Sequence, residues 1–180
     1  MEEKNKIEFS KETFELVKKI ISHYPKGSEK SALIPVLHIA QAEFDGWLSV
    51  EVMDYVASLL KISPIEVYEV VTFYKMFNTK PLGNCIIEIC RTGPCWLMGA
   101  EEIILYLEKK FKIKIGETTP DKRFTLKAVE CVADCDHAPV IQVGSKYFGN
   151  MSVEKVDQMI KKFIENNTIS HNNPYMENNI

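Results

Sequence analysis

The sequence predicts an α+β protein in which a helical bundle is followed by a unit mixing strands and helices. Three observations carry this reading. Apolar residues recur at helical spacing through the first 78 positions, and Pro81-Leu82-Gly83 interrupts that pattern. Beyond the interruption come alternating or isoleucine-rich segments of the kind that form strands.

The helical part is punctuated by local signals. Ser10 caps a first helix whose apolar positions are Phe14, Val17, Ile20, Ile21 and Tyr24, and Pro25 and Gly27 end it. A second helix is expected from about Ser31 to Glu43, with Leu33, Val36, Leu37, Ala40 and Phe44 on one side. Pro35 is tolerated there because a proline in the first turn removes an N–H that has no helical partner. Ser49 opens a third helix through about Lys61, with Met53, Val56, Leu59 and Leu60 inward. Ser63-Pro64-Ile65-Glu66 combines a capping box with proline at the first helical position, a strong start for a fourth. Its pattern assigns Tyr68, Val71, Phe73, Tyr74 and Phe77 to the core.

In the second part, Cys85 to Ile89 reads as a strand and Met98 to Phe111 as a helix with Ile103, Ile104, Leu107 and Phe111 inward. Phe124, Leu126 and Ala128 alternate with Thr125 and Lys127, as in a half-buried strand. Val140 to Phe148 reads as a hairpin turning at Gly144-Ser145. A closing helix starts at Ser152, with Met151 and Val156 placed as a hydrophobic staple. The expected domains are therefore residues 1–78 and 82–165. Residues 166–180 are rich in asparagine, lack apolar periodicity and are expected to form a disordered tail.

Bulk properties narrow the function. A chain of 180 residues with 46% hydrophobic composition can bury a core without staples. A net charge of −3, from 22 basic and 25 acidic residues, gives no global attraction to nucleic acid. No apolar run approaches the ~18 residues needed to span a bilayer. The segment Met1-Glu-Glu-Lys-Asn-Lys has neither a signal-peptide core nor the arginines of a transit peptide. The expectation is a cytoplasmic protein, or a peripheral one on the cytoplasmic side of a membrane complex. In a reducing compartment, five clustered cysteines point to metal binding or redox chemistry rather than disulfides.

The chemistry lies in two short stretches. Cys90-Arg-Thr-Gly-Pro-Cys95 has the spacing C-x4-C, and Cys131-Val-Ala-Asp-Cys135 has the spacing C-x3-C. Each is expected as a loop at a strand end, where a sheet can hold four thiolates rigidly. Four thiolates suit a 2Fe–2S cluster, two sulfurs to each iron. Zinc uses similar pairs, and the spacing alone leaves both metals open. No two cysteines are separated by two residues, which disfavours a dithiol redox catalyst. Cys85 and Cys90 fall on opposite faces of an extended strand, roughly 16 Å apart at ~3.3 Å per residue, so Cys85 is read as a small buried hydrophobe.

Charge near the thiolates has two readings. Arg91 beside Cys90 stabilises a reduced cluster, and Asp134 and Asp136 around Cys135 oppose it, unless all three are solvated loop charge. His137 is read as an exposed loop histidine and His38 as a packed or interface histidine. Trp47 and Trp96 are core or interface anchors.

The sequence resembles the thioredoxin-like 2Fe–2S subunit of respiratory complex I, known in bacteria as the E subunit, over about residues 10 to 165. The resemblance rests on Tyr24-Pro25, Ser31-Ala-Leu-Ile-Pro-Val-Leu-His-Ile-Ala-Gln41, Gly46-Trp47-Leu48-Ser49 and Tyr68-Glu-Val-Val-Thr-Phe-Tyr-Lys-Met-Phe77. It continues through Cys90-Arg-Thr-Gly-Pro-Cys95-Trp96, Met98-Gly-Ala100, Glu130-Cys131-Val-Ala-Asp-Cys135 and Ala138-Pro139. It implies a helical bundle followed by a thioredoxin-like domain, with cluster ligands at Cys90, Cys95, Cys131 and Cys135 and none at Cys85. Asp134 departs from the family, many of whose members carry a small neutral residue there.

The resemblance further implies a subunit of an NADH–quinone oxidoreductase that passes single electrons. Its partners would be a flavin-containing, NADH-binding subunit and the other subunits of a peripheral arm. No part of the chain would insert directly in the membrane. The chain has no G-x-G-x-x-G loop, so flavin and NADH are expected on that partner. The equivalent subunit of an NAD-linked hydrogenase or formate dehydrogenase fits the same resemblance. A colourless zinc-bound adaptor is the alternative from a different class.

Overall fold

A computed structural model describes residues 7–166. Among these residues the chain divides into two compact units, one up to Pro81 and one from Leu82 onward. The asparagine-rich tail expected beyond the last helix lies outside the described residues.

The first unit consists of four helices, α1 (Lys11–Ile21), α2 (Leu33–Glu43), α3 (Val50–Leu60) and α4 (Pro64–Phe73), with a 3-10 turn at Glu29–Ala32 before α2. The expected caps form. Ser10 accepts from Thr13 N–H and Ser49 from Val52 N–H, each at 3.3 Å. Glu66 closes the capping box of α4 by accepting Ser63 N–H at 2.9 Å. These side chains satisfy amides that the first helical turn leaves unpaired. Val17, Leu37, Val56, Leu60 and Val67 form the shared core.

The core expectation for α4 needs correction at two positions. Val71 and Phe77 are buried, but Phe73 and Tyr74 are 77% and 40% exposed. The helix stops at Phe73, and Tyr74 is extended at φ −89° and ψ 116°. Phe73, the last helical residue, lies about 200° round the axis from buried Val71 and so faces away from the core, whereas Tyr74, past the helix end, loses the helical phase altogether. Phe77 instead packs its ring on His38, with centroids 5.0 Å apart. Burial holds the His38 pKa below its ordinary value, so this histidine is a packed one.

The second unit is a four-stranded sheet of order β2-β1-β3-β4. Its strands are β1 (Cys85–Cys90), β2 (Phe124–Val129), β3 (Ile141–Val143) and β4 (Lys146–Phe148). β1 and β2 run parallel, in register from Cys85–Phe124 to Cys90–Val129, and β3 pairs antiparallel with β1. The parallel pair needs a crossover, supplied by α5 (Gly93–Leu97) and α6 (Ala100–Phe111); α7 (Val153–Glu165) closes the unit. Ile87, Ile89 and Leu126 of the sheet share one core with Leu107 of α6 and with Val156 and Ile160 of α7. The expected staple is in place, since Met151 and Val156 are both buried on either side of the Ser152 cap.

Besides the short 3-10 turns, one helix goes beyond the sequence expectation. The helix expected from Met98 is α6, which starts at Ala100, but the stretch before it, expected as a loop, carries the five-residue α5, separated from α6 by Gly99 at φ +97°. Among the described residues no helix is long and apolar enough to cross a membrane.

Candidate metal centre

β1 delivers the first thiol. Cys90 is the last strand residue, and its N–H donates to Val140 O at 3.1 Å while Arg91 N–H donates to Val129 O at 3.1 Å. The end of β1 is thus tied on both sides, and Cys90 is fixed by the sheet. Five residues on, Cys95 lies in α5 rather than in a loop. Pro94 favours that helical turn, because its fixed φ suits a helix start and its missing N–H is not needed there. Both thiols are 1% exposed.

The second pair leaves the end of β2 and is exposed. Cys131 Sγ and Cys135 Sγ are 3.5 Å apart. Between them Ala133 adopts φ +62° and donates its N–H to Cys131 Sγ at 3.4 Å. A 3-10 turn, Cys135–His137, leads to a cis Ala138–Pro139 bond. The strap after β4 holds this exit: Asn150 N–H donates to His137 O at 2.5 Å and Met151 N–H to Pro139 O at 3.1 Å. Gly149 approaches so closely that an added Cβ would lie 2.4 Å from His137 Cβ.

The structure brings the two pairs into electrostatic contact. Burial pushes Cys90 up, but hydrogen bonds from the Thr92 side chain and backbone, from Cys95 and from Val132 N–H outweigh it and leave the thiol below its ordinary value. Burial, followed by the bond to Cys90, pushes Cys95 up to about 11, and Cys135 adds to that rise. The Cys135 thiol is raised by its hydrogen bond to Cys131 first, with Cys90 contributing at longer range. Cys85 stands apart at the far end of β1, where it is buried and its pKa is pushed up to about 12 by desolvation.

The charged residues around the thiols are mostly solvated. Arg91 lies 3.9 Å from Glu130, with both side chains more than half exposed, so its effect on the sulfurs is heavily screened. Asp134 accepts or shares a proton with His137 Nδ1 at 2.6 Å. That bond, with the charges of Asp134 and Asp136, raises the exposed histidine's pKa. Trp96 is 58% exposed and is not a core anchor; Trp47 is half-buried. Sequence reasoning missed Thr92, whose hydroxyl lies 3.3 Å from Cys90 Sγ. Its place two residues after a candidate ligand was the available signal.

The donor set is soft, paired and deprotonatable, as an iron–sulfur cluster requires. A tetrahedral metal with sulfur bonds of about 2.3 Å has sulfur–sulfur edges of about 3.7 Å, close to the 3.5 Å between Cys131 and Cys135. The geometry alone still suits zinc.

The family model described as a thioredoxin-like [2Fe-2S] ferredoxin matches residues 17–164, which include the whole sheet and all four paired thiols. The chain belongs to this family, whose cofactor is a 2Fe–2S cluster. Among its relatives is the E subunit of the NADH-quinone oxidoreductase of Rickettsia typhi, 40% identical over 156 residues that cover 87% of this chain and 92% of the relative. The mitochondrial NADH dehydrogenase [ubiquinone] flavoprotein 2 of Dictyostelium discoideum is 39% identical over 89% of this chain, which spans 64% of that longer protein. In structure, an air-oxidised NAD+-reducing [NiFe]-hydrogenase superposes with a TM-score of 0.65 at 20% identity. That match covers 75% of this chain and 23% of the hydrogenase chain, and establishes likeness of fold.

Proposed function

We propose that Cys90, Cys95, Cys131 and Cys135 hold one 2Fe–2S cluster and that the chain serves as the electron-transferring E subunit of an NADH–quinone oxidoreductase. The observation that carries this is the near-complete, 40% identical match to a subunit of that name. When bound, the cluster supplies one-electron chemistry, taking up and releasing single electrons. The residues of the chain set its surroundings. Cys90 and Cys95 withdraw one thiolate pair from water, whereas Cys131 and Cys135 lie at the surface, where a redox partner can approach. Val132 N–H and the Thr92 groups direct donors at the Cys90 sulfur.

Hydride transfer from NADH delivers two electrons together, and a flavin is needed to divide them. The chain carries no glycine-rich nucleotide loop. The partner is therefore a flavin-bearing, NADH-binding subunit of a peripheral arm, and attachment through that arm places the chain peripherally on the cytoplasmic side of the membrane. The isolated protein should be reduced by dithionite but not by NADH until the flavoprotein is added. Spectra recorded under anaerobic conditions test this, and rapid NADH reduction of the chain alone would overturn it. A colourless preparation containing zinc would favour the adaptor reading instead.

The cluster-binding module is residues 82–165, with residues 1–78 as a separate helical bundle that supplies much of the docking surface. Deleting residues 1–78 should weaken flavoprotein binding in a pull-down more than it alters the cluster spectrum. Full-strength binding by the truncated chain would refute the docking role.

A further inference from the structure

The geometry points to Thr92 as the residue that tunes the reduction potential of this site: its hydroxyl donates to the Cys90 sulfur and favours the reduced state. The inference rests on the reading of Cys90 as a cluster ligand.

The first observation is a distance, 3.3 Å from Thr92 Oγ1 to Cys90 Sγ. The second is what the hydroxyl does not do. Thr92 is the N-cap of α5, with an extended backbone at φ −78° and ψ 167°, yet its side chain caps no amide of that helix. Threonine at an N-cap ordinarily accepts from an amide two or three residues on. Here the hydroxyl faces the sulfur. The third is chemical. A free thiol and a hydroxyl can each donate, but a metal-bound cysteine has lost its proton. With Cys90 ligated, the hydroxyl alone can donate.

The surroundings determine how much this bond matters. Cys90 is 1% exposed, so bulk water does not compete for its sulfur, and low local dielectric strengthens the contact. Cys131 and Cys135 are exposed, where solvent can satisfy the sulfurs whatever the protein supplies. The cluster is negatively charged and gains one further negative charge on reduction, part of it carried by the ligand sulfurs. A donor aimed at one of these sulfurs stabilises the more negative state and raises the potential. Val132 N–H and Thr92 N–H act in the same direction, but they belong to the backbone. The Thr92 hydroxyl can be removed by substitution while the backbone remains.

The test is a redox titration of the full chain, purified anaerobically with its cluster and followed by low-temperature electron paramagnetic resonance. Thr92→Val keeps the shape and removes the donor. It should shift the equilibrium three- to tenfold toward the oxidised form, a lowering of about 28–59 mV for a one-electron couple. Thr92→Ser restores the donor and should return the midpoint to within twofold of wild type, about 18 mV. A valine variant within twofold of wild type overturns the inference, as does a serine variant displaced as far as valine. Should valine prevent assembly, Thr92→Ala carries the same measurement, and loss of the cluster in both variants overturns the tuning role. The ligand reading fails separately: it falls if Cys90→Ser leaves the wild-type resonance unchanged, whatever Thr92 does.

Discussion

Replacing Gly149 by alanine should disturb the second thiol pair from outside its own loop. The added Cβ would meet His137 Cβ at 2.4 Å, His137 O at 3.0 Å and His137 Cγ at 3.3 Å. An ordinary contact begins near 3.4 Å, so strap and loop must separate by about 1 Å. His137 cannot yield by rotating its side chain, because its Cβ and carbonyl are fixed to the backbone. The same separation stretches the Asn150 N–H to His137 O bond, now 2.5 Å. Overpacking costs about 1–3 kcal/mol and a lost hydrogen bond about 0.5–1.5 kcal/mol, so the variant should lose about 2–4 kcal/mol. For a unit of this size that is a fall in Tm on the order of 10 °C or more.

His137 also shares the 3-10 turn that begins at Cys135, so the displacement should change the resonance line shape or lower the cluster content. Gly93→Ala is the matched control. It lies between Cys90 and Cys95, its backbone needs no positive φ, and an added Cβ meets nothing within 4 Å. It should stay within about 0.5 kcal/mol of wild type. Chemical unfolding of the metal-free proteins, with iron and sulfide analysis of the loaded ones, measures both effects. A Gly149→Ala protein as stable as the Gly93→Ala control, with an unaltered spectrum, would refute the reasoning.

Two further outcomes follow from the same structure. Serine at Cys90, Cys95, Cys131 or Cys135 should abolish or alter the cluster resonance. Cys85→Ser should keep it while losing about 1–3 kcal/mol, because a hydroxyl replaces a thiol in an apolar core; a lost signal in folded Cys85→Ser protein would rule out the assignment. Glu43 bears on acid stability. Burial raises its pKa, but bonds from Ser10 N–H at 2.9 Å and the Thr13 hydroxyl at 2.8 Å, with the Ser10 side chain, outweigh this and hold it below its ordinary value. Its folded pKa lies below an unfolded value of about 4.3. The stabilisation is therefore complete above that pH and lost as the pH falls through the folded value. Glu43→Gln should lower stability at neutral pH and flatten its decline in acid; unfolding curves that stay parallel to wild type from pH 7 to pH 3 would contradict this.

Much was legible in the sequence because it depended on neighbours along the chain. The Ser10, Ser49 and Ser63 caps, the staple at Met151 and Val156, and the change from helical to strand periodicity each involve residues a few positions apart. The remoteness of Cys85 followed from strand geometry in the same way. The C-x4-C and C-x3-C pairs named the candidate thiols without a structure. Local pattern could not determine where α4 stops, so Tyr74 is expected inside and lies outside; Phe73, still helical, lies outside because it faces away from Val71. It also concealed α5, since five residues with glycine and proline read as a turn.

Tertiary structure decided what the two cysteine segments mean together. It buried Cys90 and Cys95 and left Cys131 and Cys135 exposed. It turned the Thr92 hydroxyl from a helix cap toward a sulfur, and it set Gly149 against His137, twelve positions earlier in the chain. Residue identity and spacing limit which atoms can act. Burial, and the direction in which a side chain points, depend on elements brought together only when the sheet closes over its helices.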